Sequence, residues 1–405
     1  MKISTPQITT SKSIIAVSSQ IESSKKNSYT AWVEIDAKYK NFLFTDATAF
    51  ASALLLPAMK LKEELTITGS VSSKWSQNIK KIMQRVLSWH VGFNDIIVTT
   101  NEQKPDTKAI TSKKNVGVFF SGGVDSFSSY LKYKKTKKEK ITHLILVHGF
   151  DIALENQSLF IETSSRIKKI AQIEGIECIV LKTNIRTITD LLLPWDMSHG
   201  GTLAMIALLL RNGFSKIIIP GSGAARDEEP WGSCSNIDPL WSTETLTIVH
   251  DLDVKTRQQK IQDFIAPSPL ALENLRVCWR NLSYNCGKCD KCLSTMIDLR
   301  IAGVLEKSKT FPTILDLQLV RKLHSDPYTL QGHLEQSLQA LEKSKQDPEL
   351  AAALKESLQK SYHPSVLRRC VDAVRLFDKH HNSGRLFSTL LLIQRNIALV
   401  KNKLR

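Results

Sequence analysis

A strand, a glycine-rich loop and a helix follow one another near residue 120, and this segment constrains the chain most. The apolar run at 116–120 predicts a short buried strand, and residues 127–131 predict the first turns of a helix. Between them, residues 121–126 read Ser-Gly-Gly-Val-Asp-Ser. Two glycines at a strand-to-helix turn let backbone N–H groups converge on an anion where the helix dipole is positive. The segment therefore predicts a phosphate site.

The polar side chains of this loop refine the prediction. Ser121 and Ser126 supply hydroxyl donors, whereas Asp125 would repel a phosphate unless a magnesium ion lay between them. The loop lacks the G-x-x-x-x-G-K-[ST] sequence of the Walker A motif and the G-x-G-x-x-G sequence of dinucleotide-binding folds. We therefore expect a nucleotide site of a different class, with Mg²⁺ as a cofactor.

Four cysteines are clustered in the second half of the sequence. Cys278, Cys286, Cys289 and Cys292 have the spacing C-x7-C-x2-C-x2-C, with Gly287 in the turn. Four thiolates with no open position are typical of a structural Zn²⁺ site, and an iron–sulfur cluster is the alternative. The chain has seven cysteines and no export signal, so a disulfide framework is not expected. The other three cysteines are isolated: Cys178, Cys234 and Cys370.

The loop and the cysteine spacing together resemble 7-cyano-7-deazaguanine synthase, one of the N-type ATP pyrophosphatases of the PP-loop superfamily. The resemblance covers residues 115–300. It implies the adenine nucleotide alpha hydrolase-like fold and cleavage of ATP between its α and β phosphates. The substrate would be a carboxylate such as 7-carboxy-7-deazaguanine, which is adenylated and then attacked by ammonia or an amine. An amide or nitrile would form, with release of AMP and pyrophosphate.

The resemblance also implies roles for individual residues. Catalysis would fall to Ser121, Asp125 and Ser126. The resemblance places His148 and Asp151, after the second core strand, against the adenosine. It places His199 and Gly200, at a predicted helix start, against phosphate or the acyl substrate. It places the basic residues Arg257 and Lys260 against pyrophosphate. The full set of nucleotide-binding residues is Ser121, Gly122, Gly123, Val124, Asp125, Ser126, His148, Asp151, His199, Gly200, Arg257 and Lys260.

Strands and helices alternate around the loop. Apolar runs predict core strands at 116–120, 143–147, 177–181 and 216–220, with helices between them. This order predicts an α/β fold with a doubly wound parallel sheet and ligands at the carboxyl ends of the strands. The predicted domains are a flexible N-terminus at 1–28, a small α/β domain at 29–105, a core domain at 113–300 with its zinc knuckle at 278–292, and a helical region at 301–405. Within the small domain, strands are expected at 30–35, 42–44, 65–68 and 96–99, and helices at 46–60 and 71–89.

Composition limits the compartment and the partners. The apolar runs are too short to span a bilayer or to form a signal-peptide core, which predicts a cytoplasmic protein with no membrane partner. The net charge of +16 permits an acidic partner. A tRNA acceptor is therefore an alternative, in a thiolating enzyme with Cys234 as the sulfur carrier. A non-catalytic nucleotide-binding subunit is another. A further alternative is an enlarged deazaguanine-synthase-like protein of bacterial defence that modifies a protein partner, which would account for the added terminal regions. A homodimer is among the possible assemblies of this chain.

Overall fold

The computed structural model describes residues 1–359 except residue 91 and residues 106–114, 137–138, 225–230, 281–282 and 324–329. These residues form an α/β structure built on one large, mostly parallel sheet. The eleven strands are β1 (Lys2–Ile3), β2 (Gln7–Thr10), β3 (Ile14–Glu22), β4 (Tyr29–Asp36), β5 (Leu65–Ser72), β6 (Val98–Lys104), β7 (Val116–Phe119), β8 (His143–His148), β9 (Glu177–Thr183), β10 (Lys216–Ala224) and β11 (Thr247–Asp253).

The strand order across the sheet is β11-β10-β7-β8-β9-β4-β3-β1-β5-β6, and β2 pairs with β3. Pairing is parallel from β11 to β9 and again from β1 to β6. It is antiparallel from β9 through β4 and β3 to β1. The carboxyl ends of β7, β8, β9, β10 and β11 therefore meet at one edge, where an α/β fold binds its ligands.

Helices pack on both faces of the parallel strands. They are α1 (Thr48–Leu61), α2 (Ser73–Trp89), α3 (Val124–Thr136), α4 (Gln157–Glu174), α5 (Ile185–Thr189), α6 (Trp195–Leu209), α7 (Arg257–Lys260), α8 (Pro269–Asn274), α9 (Asp290–Ile301), α10 (Leu317–Arg321), α11 (Leu330–Ser344) and α12 (Pro348–Gln359). Short 3₁₀ segments lie at Ala37–Phe42, Asp238–Trp241 and Leu305–Lys307, and a π-helical turn at Ile261–Ile265 continues α7.

Alternate residues of the central strands belong to two separate apolar cores. Leu144 and Leu146 of β8 pack with α3 and α4 in one core. Ile145 and Val147 of the same strand pack with α1 and α6 in the other. Every residue of β7 and β8 is buried, as expected for parallel strands covered on both faces. The four core strands predicted from the sequence are confirmed as β7, β8, β9 and β10.

Two local predictions are wrong. Residues 1–28, predicted to be flexible, contain β1, β2 and β3, and Ile15, Val17 and Ile21 of β3 point alternately into the core. The strand predicted at 42–44 is absent from the described structure, because the 3₁₀ segment Ala37–Phe42 ends there. The ring of Phe42 packs edge-on against Phe214, with centroids 5.4 Å apart.

The sheet runs without a break through the strands of both predicted domains, because β4 pairs with β9. The domain boundary near residue 110 stays a prediction, since residues 106–114 are not among those described. The helical region predicted from residue 301 is represented by α10, α11 and α12. Residues 360–405, and Cys370 with them, lie outside the described residues.

Candidate functional site

The glycine-rich loop is a tight strand-to-helix turn, as the sequence predicts. β7 ends at Phe119 and α3 begins at Val124, whose side chain is buried in the core. Gly122 has a φ of +79°, in the left-handed region that favours glycine. The Ser126 hydroxyl donates a 3.0 Å hydrogen bond to the Gly123 carbonyl and so closes the turn. The first N–H groups of α3 lack intrahelical acceptors, and such groups can donate to an anion at the start of a helix.

Two basic side chains meet the carboxylate of this loop. Arg257 Nη1 lies 3.4 Å from Asp125 Oδ2, and Lys260 Nζ lies 3.3 Å from Asp125 Oδ1. Both bases belong to α7, which a capping box starts: the Thr256 hydroxyl accepts from Gln259 N, and the Gln259 side chain accepts from Thr256 N. Residues three apart share one face of a helix, so α7 directs both bases to the loop.

The Lys260 side chain is more buried than that of Arg257. Its side chain is 3% exposed, and Nζ donates a 2.7 Å hydrogen bond to the carbonyl of Gly221 on β10. Arg257 is 19% exposed and also donates to the Thr295 hydroxyl of α9 at 3.3 Å. The structure therefore brings together three of the residues predicted for the nucleotide, although they are far apart in the sequence.

The two residues predicted at the adenosine lie at the carboxyl end of β8, which is next to β7: His148 is the last residue of the strand, and Asp151 follows three positions later. The imidazole of His148 stacks on Phe160, with centroids 3.9 Å apart, and its Nε2 lies 3.1 Å from the Ala153 carbonyl oxygen. Burial lowers the pKa of His148, so the ring is neutral at pH 7. Asp151 is exposed. Contact with adenosine stays a prediction for both residues.

His199 and Gly200 do not lie at a helix start, which corrects the sequence prediction. They belong to the second turn of α6, which begins at Trp195. A Cβ on Gly200 would lie 1.9 Å from the Gly232 carbonyl oxygen, so this glycine allows close packing of the helix against a loop. His199 Nδ1 lies 3.0 Å from the Trp195 carbonyl oxygen, and burial lowers the pKa of the ring.

The four clustered cysteines form a site that can hold a metal ion. Their sulfur atoms all lie within 4.8 Å of one another, and Cys286 Sγ and Cys292 Sγ are 3.9 Å apart. Tetrahedral zinc with Zn–S bonds of about 2.3 Å requires sulfur–sulfur separations of roughly 3.8 Å, so the geometry fits. Backbone N–H groups of Lys288 and Cys289 donate to Cys286 Sγ, and hydrogen bonds from Cys289 and Cys292 lower the pKa of Cys278.

A hydrogen-bonded segment connects the cysteine cluster to the glycine-rich loop. The backbone N–H of Arg276, two residues before Cys278, donates to the Gly122 carbonyl at 2.8 Å. The Asn285 side chain accepts hydrogen bonds from the N–H groups of Val277 and Cys278. It also donates to two carbonyl oxygens, those of Leu275 and Thr310. The segment that carries the cysteine cluster therefore packs against the glycine-rich loop.

The site residues predicted from the sequence do not include Arg276, Asn285 or Gly221, although residues 221–223 were expected at the carboxyl end of a core strand. Arg276 and Gly221 contribute backbone atoms, which no side-chain motif reports. The only local signal for Asn285 is its position next to Cys286. These residues support the site without carrying a recognisable catalytic group.

Comparisons with known proteins find no match for this chain among protein-family models, curated proteins or solved structures. In the described parts of the chain, the search for a helix of membrane-spanning length and hydropathy is also negative. The assignment of function therefore depends on the residues and their geometry.

Proposed function

We propose that this chain is a PP-loop enzyme that uses ATP to adenylate a carboxylate for carbon–nitrogen bond formation, as the sequence resemblance implies. The carboxylate is 7-carboxy-7-deazaguanine or a related acid. The observation that carries the proposal is the convergence of Lys260 and Arg257 on Asp125, at the turn between β7 and α3. A glycine turn, a helix start and two cations at one sheet edge suit a polyphosphate ligand.

The two ion pairs are suited to exchange. Charge-assisted N–H···O bonds are usually about 2.7–2.9 Å long, whereas those at Asp125 measure 3.3 and 3.4 Å. Asp125 thus keeps two cations at the mouth of the loop without binding either one tightly. Lys260 and Arg257 would contact the oxygens of an entering triphosphate. Asp125 would then be the residue that holds Mg²⁺, and the ion would neutralise phosphate charge there.

The chemistry proceeds in two steps. A carboxylate oxygen of the substrate attacks the α-phosphorus, and pyrophosphate leaves with the electron pair of the broken P–O bond. Lys260, Arg257 and the N–H groups at the start of α3 stabilise the negative charge on this leaving group. A nitrogen nucleophile then attacks the acyl carbon, and AMP leaves.

The cysteine cluster has a structural role in this proposal. Zinc bound by Cys278, Cys286, Cys289 and Cys292 has no open coordination position and supplies folding energy to the surrounding segment. Through Arg276 that segment holds the backbone at Gly122, so an intact cluster keeps the phosphate loop in its binding conformation.

The test is release of pyrophosphate and AMP from ATP–Mg²⁺ and ammonia, with and without 7-carboxy-7-deazaguanine, with the product mass measured in parallel. We expect stimulated release and a product with the mass of an amide or a nitrile. Lys260→Met should abolish stimulation, because it removes the buried cation at the loop. Lys255→Met is the matched control, since Lys255 pairs with Asp263 on the surface.

The other outcomes separate the alternatives. Release that is stimulated by tRNA or by a partner protein, and not by the small acid, would move the acceptor to a macromolecule. Absence of any release from a well-folded, metal-loaded protein would refute the enzymatic proposal in favour of a non-catalytic nucleotide-binding subunit.

A further inference from the structure

An exposed lysine lies at the start of the helix that follows the cysteine cluster. Lys291 is in the first turn of α9, directly before Cys292 of the cluster. In the described part of the chain, neither a hydrogen bond nor an ion pair engages its ammonium group. The chemistry proposed above gives this lysine no role, although a cation at this place bears on how the site binds phosphate.

One hydroxyl links Lys291 to the bases of the glycine-rich loop. The Thr295 hydroxyl, four positions later on α9, donates to the Lys291 carbonyl at 2.7 Å and accepts from Arg257 Nη2 at 3.3 Å. The Lys291 carbonyl oxygen is therefore at most about 6 Å from Arg257 Nη2, and the same guanidinium contacts Asp125. A lysine side chain, with five single bonds of about 1.5 Å each, can cross a gap of that size.

The neighbouring positions on α9 show which elements this face of the helix meets. Residues 291, 295 and 298 lie on one face, because positions three and four apart are neighbours on a helix surface. Thr295 contacts Arg257 of α7, and the buried Asp298 accepts a 2.8 Å hydrogen bond from Ser337 of α11. Of the three positions, Lys291 alone is exposed. It therefore presents a cation to solvent beside the base that contacts the loop.

The charge of the expected ligand exceeds that of the two bases at Asp125. An ATP–Mg²⁺ complex carries about two negative charges at pH 7, and Asp125 adds one more. Lys260 and Arg257 together supply two positive charges. A third cation would neutralise the remaining charge, and the need for it grows when pyrophosphate separates from the nucleotide.

We propose that Lys291 is a third phosphate-binding cation, which contacts the β and γ phosphates of ATP and the pyrophosphate that forms from them. The cysteine cluster then has a second role, because it includes Cys292 and so fixes the first turn of α9 that carries this lysine. Lys291 acts through its charge and transfers no proton. This inference rests on the proposed function and adds one residue to the same site.

Calorimetric titration of the full chain with ATP–Mg²⁺, pyrophosphate–Mg²⁺ and AMP tests the assignment. Lys291→Met should weaken the binding of ATP and of pyrophosphate by roughly five- to tenfold, between the values for exposed ion pairs and for hydrogen bonds to charged groups. The affinity for AMP should stay unchanged, because AMP lacks the β and γ phosphates. Lys291→Arg keeps the charge and should restore most of the affinity for ATP.

Lys288→Met is the matched control. Lys288 is also exposed and belongs to the same cysteine segment, where its backbone N–H donates to Cys286 Sγ. Among the described residues, no hydrogen bond or ion pair links its side chain to the glycine-rich loop, so its loss should leave all three affinities near wild type. Both variants should keep stoichiometric zinc by elemental analysis. Should Lys291→Met lose the metal, Lys291→Gln carries the test.

Three results would overturn the assignment: equal weakening of ATP binding by the Lys291 and Lys288 variants, equal weakening of ATP and AMP binding by Lys291→Met, or unchanged affinity for all three ligands. A wild-type protein that binds ATP–Mg²⁺ through Lys291 and yet adenylates no carboxylate would refute the proposed function alone. A wild-type protein that binds neither ATP nor pyrophosphate would refute both.

Discussion

Asn285 should contribute more to stability than a half-buried surface amide usually does. Its side chain makes four hydrogen bonds, of 2.9 and 3.2 Å from Val277 N and Cys278 N and of 2.8 and 3.2 Å to the Leu275 and Thr310 carbonyls. At about 1 kcal/mol net for each bond, Asn285→Ala would cost about 4 kcal/mol. Water can reach part of this half-buried site, which reduces the expected loss to about 2–4 kcal/mol.

The matched control is Asn274→Ala, which removes an amide with one side-chain hydrogen bond, to the Leu270 carbonyl at 2.9 Å, and should cost about 1 kcal/mol. Urea unfolding of metal-loaded proteins measures both losses. Hydrogen exchange should also accelerate at residues 121–126 in Asn285→Ala, because the segment holding Gly122 loosens. Equal destabilisation by the two variants, with unchanged exchange at the loop, would refute the reasoning.

Three further predictions follow from contacts of single residues. Cys292→Ser should abolish stoichiometric zinc, measured by elemental mass spectrometry; a visible iron–sulfur absorption band in the wild type would contradict the zinc assignment. Thr295→Val removes the hydroxyl that accepts from Arg257 and should weaken ATP binding by about 1 kcal/mol, or roughly fivefold in calorimetry. Ser294→Ala is its control, since that hydroxyl donates to the Lys291 carbonyl and not to Arg257 among the described residues. Equal affinities of the two variants would count against a role for Arg257. Gly200→Ala should destabilise the fold by about 1–3 kcal/mol or more through its clash with Gly232, whereas Gly332→Ala, in open space on α11, should stabilise it by about 0.5–1 kcal/mol. Thermal unfolding compares the two, and a tolerated Gly200→Ala would show that the contact is loose.

Features encoded by neighbouring residues were predictable from the sequence. The turn from β7 into α3 needs only an apolar run, two glycines and a helix start. The cysteine cluster is formed by residues that follow one another in steps of eight, three and three positions. The sequence did not predict β3 because its alternation is broken at two positions. Ser19 is a polar residue at an inward position, and Ile14 is an apolar residue at an exposed one. β1 has only two residues and exists through its pairing with β3 and β5.

The long-range parts of the candidate site could not be derived in the same way. Lys260 and Asp125 are separated by 135 positions, and their contact depends on α7 returning to the end of β10. A resemblance suggested a basic residue there, but no local pattern distinguishes Lys260 from a surface lysine.

The antiparallel contact between β4 and β9 also affects how the chain is made. Thr183 donates to the Trp32 carbonyl across 151 positions. At about 5–20 residues per second, the ribosome completes β9 roughly 8–30 s after β4. Throughout that interval β4 exposes a strand edge with buried-type residues such as Val33 and Ile35, which is a template for aggregation. Production of this protein should therefore depend on chaperones that bind nascent chains, and more so when translation is slow.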